Sequence, residues 1–378
     1  MKQFIYADNA ATTKLDIDAF EAMKPYLLDE YGNASQPYSF ARKSKQALKE
    51  ARTTIAQCIN AEPEEIFFTS GGTESDNWAI KGIAFADSEK RAIITSQIEH
   101  HAVLRACEDI EKLGYPVAYL PVTKEGIVTT EALSSVITRN TRLVSVMYAN
   151  NEIGTIEPIK ELCEVAHRNG ALFHTDAVQA VGHVQIDVKE LGVDLLSASA
   201  HKFNGPKGIG FLYVKKGTPI ASYASGGAQE LGMRAGTENI AAIVGMSVAL
   251  KKNCDNLAEN IRHIENIESQ LLDNLSSSGL DFVRNGSSQH IPGNISLSFK
   301  NVDGEALLHR LDLMGICVST GAACDTENTE VSHVLKSIRL KQEYAIGTIR
   351  IALSANNTAD NVIAIAVALK KILSSKRI

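Results

Sequence analysis

Two side chains suited to one chemistry stand near the middle of the chain. Lys202 closes the run Ser197-Ala198-Ser199-Ala200-His201-Lys202, and Asp176 stands upstream in Phe173-His174-Thr175-Asp176-Ala177-Val178-Gln179. Each follows a short apolar run, Ala171 to Phe173 and Asp194 to Leu196, that reads as a buried strand. An acid and an amine carried to the C-terminal ends of strands in one sheet point into the crevice where open α/β sheets bind ligands. Pyridoxal phosphate needs this pair: a lysine to form the Schiff base, and a carboxylate to keep the ring nitrogen protonated as an electron sink. The competing interpretation is a surface lysine and a strand-end aspartate that never meet. Their spacing alone does not decide between the two.

A phosphate site is legible as well. Thr69-Ser70-Gly71-Gly72-Thr73-Glu74-Ser75 follows a strand pattern and precedes the helical run Asp76 to Phe85. Glycines there let backbone N–H groups approach an anion at a helix N-terminus, where the dipole also favours negative charge. The spacing is not that of a Walker loop. A plain capped turn is the alternative.

The elements that must position these groups alternate. Ile66–Thr69, Ala92–Thr95, Val117–Leu120, Leu143–Met147, Ala171–Phe173 and Gly210–Val214 read as strands, with helical patterns such as Pro158 to Arg168 between most of them. That alternation predicts a mainly parallel sheet covered by helices. From about Asn256 the texture changes to a long helix (Asn256 to Leu275), strands around Asn294–Phe299 and a final helix, which predicts a smaller α+β domain. A chain of 378 residues exceeds what one core usually supports, so two domains are expected: residues 14–256, and residues 1–13 with 257–378. Hydrophobic residues make up 44% and the net charge is −6 without a basic run, which argues against nucleic acid as the main ligand. No export signal is visible, and the most apolar helical run, Val362 to Leu369, is too short to span a bilayer, so a cytoplasmic protein without membrane contact is expected. The six cysteines show no C-x-x-C spacing, and no metal site is expected. Cys58, Cys107 and Cys163 fall in helical patterns as core fillers, and Cys317 in an apolar run. Cys324 alone has a polar, loop-like context.

Taken in order, Ala7-Asp8-Asn9-Ala10-Ala11-Thr12-Thr13, Phe68 to Asn77, Glu99-His100, Asn150-Asn151-Glu152-Ile153-Gly154, Asp176 with Gln179, His201-Lys202 with Gly205-Pro206-Lys207-Gly208, Met233-Arg234-Ala235-Gly236-Thr237, Ser319 to Cys324 and Ile349-Arg350 cover nearly the whole chain. This series resembles the NifS/IscS-type cysteine desulfurases, of the class V aminotransferase group. The resemblance implies the pyridoxal-phosphate-dependent transferase fold of type I, with a large domain and a smaller C-terminal α+β domain. It implies L-cysteine as substrate, alanine as product and a homodimer in the cytoplasm.

The resemblance also implies roles. Lys202 would carry the cofactor, although Lys207, between Pro206 and Gly208, is a competing lysine. Asp176 would pair with the ring nitrogen, Gln179 and Asn151 with the ring oxygen. His100 would stack on the ring and move protons, its neighbour His101 being read as a helix-start residue. Gly72, Thr73, Ser199 and His201 would hold the phosphate, joined by Thr237 from the other subunit. Arg350 and Asn33 would hold the substrate carboxylate, against a strand-end salt bridge for Arg350 and a simple turn for Asn33. Cys324 would attack the substrate sulfur as a thiolate and keep it as a persulfide for an acceptor protein. That acceptor could be an iron–sulfur scaffold or a protein of thio-cofactor, tRNA or DNA sulfur modification.

The chain departs from the family pattern at Ala322, Asp325, Ala34 and Tyr38. A carboxylate at Asp325 beside the thiol should raise its pKa. A selenocysteine lyase, a transaminase, or a non-catalytic carrier with the same fold are the other functions to weigh. A transaminase has no use for Cys324, and a carrier would not need both Lys202 and Asp176.

Overall fold

The computed structural model describes residues 4–86, 89, 91–320 and 331–374. Seven short strands form the large sheet: β1 (Ile66–Thr69), β2 (Ala92–Ser96), β3 (Val117–Leu120), β4 (Thr141–Ser145), β5 (Leu172–Asp176), β6 (Leu195–Ser199) and β7 (Gly210–Val214). Their order is β1-β7-β6-β5-β4-β2-β3, and only β7 runs antiparallel to its neighbours. Strands buried on both faces need continuous apolar runs, and β1, β6 and β7 are buried at every residue. Helices cover the two faces. Trp78, Ile80 and Ile83 of α1 (Gly72–Phe85) and Val103, Cys107 and Ile110 of α2 (His101–Lys112) pack in one core with Ile93, Leu143, Leu195 and Leu212. A second core on the sheet includes Ile55, Phe173, Phe203, Phe211 and Met246.

The smaller sheet is antiparallel, in the order β10 (Ser319–Thr320), β11 (Thr348–Ala352), β9 (Asn294–Phe299), β8 (Phe282–Asn285). Helices Leu257–Ser276 and Ala359–Ser374 cover it, placing Ile264, Ile267, Leu271, Ile365 and Leu369 on Ile295, Leu297, Ile349 and Ile351. The N-terminal chain joins this layer: Ile5–Tyr6 pairs with Ile316–Cys317, and Ala7 lies in its core. Among the described residues no helix is long and apolar enough to cross a membrane.

Three element boundaries differ from the sequence reading. The run at Ala171–Phe173 continues as strand to Asp176, the run ending at Leu196 continues to Ser199, and α1 begins at Gly72 rather than Asp76. The polar residues at the two strand ends keep their ladder bonds while buried, so backbone pairing outlasts the apolar pattern, and at α1 the helix starts on the glycine of its first turn. The strand at Leu143–Met147 instead begins at Thr141 and ends at Ser145. Cys107 and Cys163 are buried as expected, whereas Cys58 and Cys317 are half-buried.

Candidate active site

The parallel strands deliver their C-terminal ends to one edge. Asp176 is the last residue of β5 and stands opposite Ser197 of β6 in the ladder, and β6 runs through Ser199 into a 3-10 turn ending at Lys202. The turn is laced to the N-terminal chain. His201 O accepts from Thr13 N (2.9 Å), His201 Nδ1 meets Thr12 Oγ1 (3.2 Å), and His183 Nε2 donates to Lys202 O (2.9 Å). Lys202 Nζ donates to Ala10 O (2.6 Å) and Ala11 O (2.9 Å), and Gln179 Nε2 donates to the same Ala10 O (3.0 Å). Lys207 lies exposed on the following turn.

Asp176 is buried, and among the described residues its carboxylate accepts one hydrogen bond, from Val178 N (2.9 Å). Burial pushes its carboxyl up to about 6, while Val178 N–H and the Lys202 charge favour the anion. Its remaining acceptor capacity suits a ring N–H donor. Beside it, Gly71 and Gly72 begin α1 against Ser199 and Val178. A Cβ on Gly72 would meet Val178 Cγ2 at 2.6 Å, and one on Gly71, at φ +147°, would meet Ser199 Oγ at 3.4 Å. Only glycine leaves this cradle open at the positive end of a 14-residue helix, which suits a phosphate group. Thr73 is exposed on the first turn.

His100 is the N-cap of α2. Its Nδ1 accepts from Ala102 N (3.1 Å), so the ring proton belongs on Nε2. Burial, Lys202 and His101 lower it to about 4, leaving a neutral imidazole at physiological pH. Burial first and then Lys202 and Lys207 lower His201 to about 4 too.

Arg350 arrives from the smaller sheet on β11 and is 5% exposed. Its Nη2 donates to Asp8 Oδ1 (2.8 Å) and its Nη1 to Asn151 O (3.0 Å), while Nε is buried with no partner among the described residues. The Asp8 salt bridge orients the guanidinium without saturating it. Segment Asp8–Ala11 therefore touches Arg350 at one end and Lys202 at the other. Asn33 folds into a turn: its Oδ1 accepts from Ser35 N (2.9 Å) and its O from Gln36 N (3.0 Å). No described contact joins it to Arg350. Thr237 is exposed on a loop braced by the two-pronged Arg234–Glu74 pair.

Cys324, with Ala322 and Asp325, lies outside the described residues. The flanking residues are placed. Ser319 pairs with Arg350 across β10 and β11. On the far side Ser332 Oγ donates to Glu152 Oε2 (2.6 Å), and His333 Nε2 donates to Glu99 O (3.0 Å), next to His100. Burial raises Glu152 to about 7 against the pull of Ser332 and Arg350.

Sequence reasoning missed three participants: Asp8, Glu152 and the backbone carbonyls of Ala10 and Ala11. Asp8 and Glu152 stand inside the quoted motifs, but only the fold shows what they touch. Glu99, another residue without an assigned role, is fully buried. Its Oε1 accepts from Ser96 Oγ (2.5 Å) and Met147 N (3.0 Å), its Oε2 has no partner among the described residues, and burial raises it to about 8. The folded protein thus keeps a proton on Glu99 at pH 7 that the unfolded chain has lost. Stability contributed there falls as pH rises through the window from about 4.5 to about 8. Glu99→Gln removes that titration. Its melting temperature should gain on the parent's progressively from pH 5 to pH 8 in thermal unfolding, and a constant gap would show that Glu99 is ionised in the fold.

Residues 5–365 match the model of the family described as aminotransferase class-V. The chain is 47% identical to a cysteine desulfurase IscS of Clostridium botulinum over 381 aligned positions, covering all of this chain and 96% of that protein. Among solved structures, a NifS-like protein superposes with a TM-score of 0.93 at 36% identity, covering 98% of this chain and all of that one. A structure described as SspA in complex with cysteine gives a TM-score of 0.82 at 34% identity, covering 94% and 100%. With a family match spanning almost its full length and relatives this similar from end to end, the chain belongs to the class-V aminotransferase family, in its cysteine desulfurase branch.

Proposed function

We propose that this cysteine desulfurase uses pyridoxal phosphate held by Lys202 and Asp176, and passes the sulfur of L-cysteine to Cys324 as a persulfide, with L-alanine as the other product. The observation that carries this reading is the Asp8–Ala11 segment, which ties a buried arginine, Arg350, to the strand-end lysine, Lys202. An amino acid needs both at once: a cation for its carboxylate and a centre for its amine.

When bound, pyridoxal phosphate supplies an electron sink for the carbon that bears the amine. Lys202 would hold it covalently and Asp176 would accept its ring N–H. The α1 cradle of Gly72 and Thr73, with Ser199 and His201, would bind its phosphate, and Gln179 and Asn151 would serve its ring oxygen. His100, neutral with its proton on Nε2, can stack on the ring and exchange a proton with the substrate. Arg350 and Asn33 would bind the carboxylate. The Cys324 thiolate then takes the substrate sulfur, the bond from carbon to sulfur breaks, and a proton completes alanine. The persulfide passes to an acceptor protein, which fits a cytoplasmic supplier of iron–sulfur or other sulfur-modification systems. The exposure of Thr237, and of Leu231 six residues before it at 75%, supports a homodimer in which that loop serves the partner's phosphate site. We further propose residues 14–256 as the large domain, with 1–13 and 257–378 as the small one.

The direct test is incubation of the purified protein, supplied with pyridoxal phosphate, with L-cysteine: alanine and a protein-bound persulfide should form together. A keto acid in place of alanine would refute the reading. Arg350→Lys probes the carboxylate site. It keeps the charge but loses the two-pronged geometry, so half-saturation by cysteine should rise about tenfold or more while cofactor content is unchanged. An unchanged half-saturation value would remove Arg350 from that role.

A further inference from the structure

A chain of buried polar side chains lies beside Asp176 and has no part in the steps above. Ser145 Oγ meets His174 Nδ1 (2.8 Å), His174 Nε2 meets Ser197 Oγ (3.0 Å), and the Ser197 hydroxyl bonds to the Asp76 carboxyl of α1. All four residues are 0–1% exposed. Burial lowers His174 to about 3, so its imidazole is neutral and carries one N–H. The directions then follow in turn. Ser145 donates to Nδ1, Nε2–H donates to Ser197, and Ser197 donates to Asp76. The chain ends on an acid whose Oδ1 has no hydrogen-bond partner among the described residues and lies 3.7 Å from His174 Nε2.

The ionisable groups acting on Asp76 are two more buried carboxyls, Asp176 and Glu99, and the uncharged His174. No described cation pairs with it. Two neighbouring carboxylates shielded from water cannot both stay charged. Asp176 has the Val178 N–H and the Lys202 charge in its favour, whereas Asp76 has only one hydroxyl. We infer that Asp76 is a positioning residue that stays protonated, anchors the Ser145–His174–Ser197 chain across β4, β5 and β6, and leaves Asp176 as the charged member of the Asp76–Asp176 pair. The inference rests on the reading of Asp176 as partner of a ring N–H, and it adds the group that keeps Asp176 charged and aimed.

Infrared difference spectra of the cofactor-free protein test the proton without relying on that reading. At pH 7 the parent should show a protonated-carboxyl stretch that is lost in Asp76→Asn. Its absence from the parent-minus-Asp76→Asn difference would overturn the inference, whatever Asp176 does. Cofactor binding and the pH titration of the bound chromophore give the functional arm. Asp76→Asn, neutral and of similar shape, should leave affinity and titration midpoint near the parent's. Asp76→Ala, which strands the Ser197 hydroxyl, should weaken cofactor binding roughly tenfold and move the midpoint. If Asp76→Asn matched Asp76→Ala, charge would be the requirement and Asp76 an anion. If Asp76→Ala lowered the melting temperature alone, the residue would be merely structural. Either result overturns the inference. If Asp76→Ala does not fold, the spectra and Asp76→Asn still decide. Failure of the Asp176 reading shows separately, as unimpaired cofactor binding in Asp176→Asn.

Discussion

Lys202→Ala should fold normally, lose the borohydride-fixable link to pyridoxal phosphate and lose roughly three or more orders of magnitude in alanine formation. The folding expectation follows from the packing. Lys202 closes a one-turn helix whose backbone is held by His183 and Thr13, so the side chain can be cut back without loosening the turn. Its Nζ instead lies inward on the carbonyls of Ala10 and Ala11, at the edge that Asp176, Ser199 and the α1 glycines share. Lys207→Ala is the control, because that side chain is exposed on the next turn. It should retain the link and the activity. Peptide mapping after reduction reads the result directly, and a cofactor-bearing peptide whose modified residue is Lys207 would reverse the assignment. The phosphate cradle remains in the Lys202 variant, so weak, reversible cofactor binding should persist.

The large sheet was legible because strands such as Ile66–Thr69 and Gly210–Val214 are buried throughout and run apolar for three or four residues at a time. Legibility stopped where polarity begins. His174, Thr175, Asp176, Ser197 and Ser199 are strand residues in a buried layer, and hydropathy ends each strand before its hydrogen bonds do. The residues proposed for the site were reached in two ways. Lys202, Asp176 and the Gly71-Gly72 turn follow from chemistry and strand ends, while Arg350, Asn33, Gln179 and Cys324 needed a resemblance. Arg350 comes from a different sheet, 148 positions beyond Lys202 in sequence numbering, so no local pattern could bring the two together. What joins them is the N-terminal chain. Asp8 takes Arg350, Ala10 and Ala11 take Lys202, and Thr12 meets His201. Two of those contacts use backbone carbonyls, which carry no signal in side-chain identity.

The buried acids were equally illegible for an energetic reason. Asp76, Glu99 and Glu157 sit in elements where a carboxylate would ordinarily face water, and burial raises all three above the usual carboxylate range. A sequence shows the residue type but not the medium around it. Beside Asp176, Asp76 and Glu99 then act as neutral donors and acceptors.

Cys324→Ser separates a desulfurase from every other use of this fold. The substitution changes one sulfur to oxygen and touches none of Lys202, Asp176, Arg350 or the phosphate cradle, so cofactor content and the spectral response to L-cysteine should match the parent's. Persulfide should be absent and alanine release should fall to background, because a hydroxyl cannot take the substrate sulfur as a thiolate does. Cys317→Ser is the companion. Cys317 is half-buried on the short strand beside Ile5–Tyr6, and burial raises its thiol, so its loss should cost some packing and no sulfur transfer. A transaminase would stay active in both variants, and a selenocysteine lyase could keep releasing selenium from Cys324→Ser while sulfur release stops. Mass spectrometry of the cysteine-treated parent should place one additional sulfur on the peptide that contains Cys324. Ser319 runs beside Arg350, and Ser332 and His333 dock on Glu152 and beside His100, so the described residues that flank that peptide lie at the edge proposed to bind the substrate. Alanine formation surviving in Cys324→Ser, or the additional sulfur mapping to another cysteine, would end the proposal.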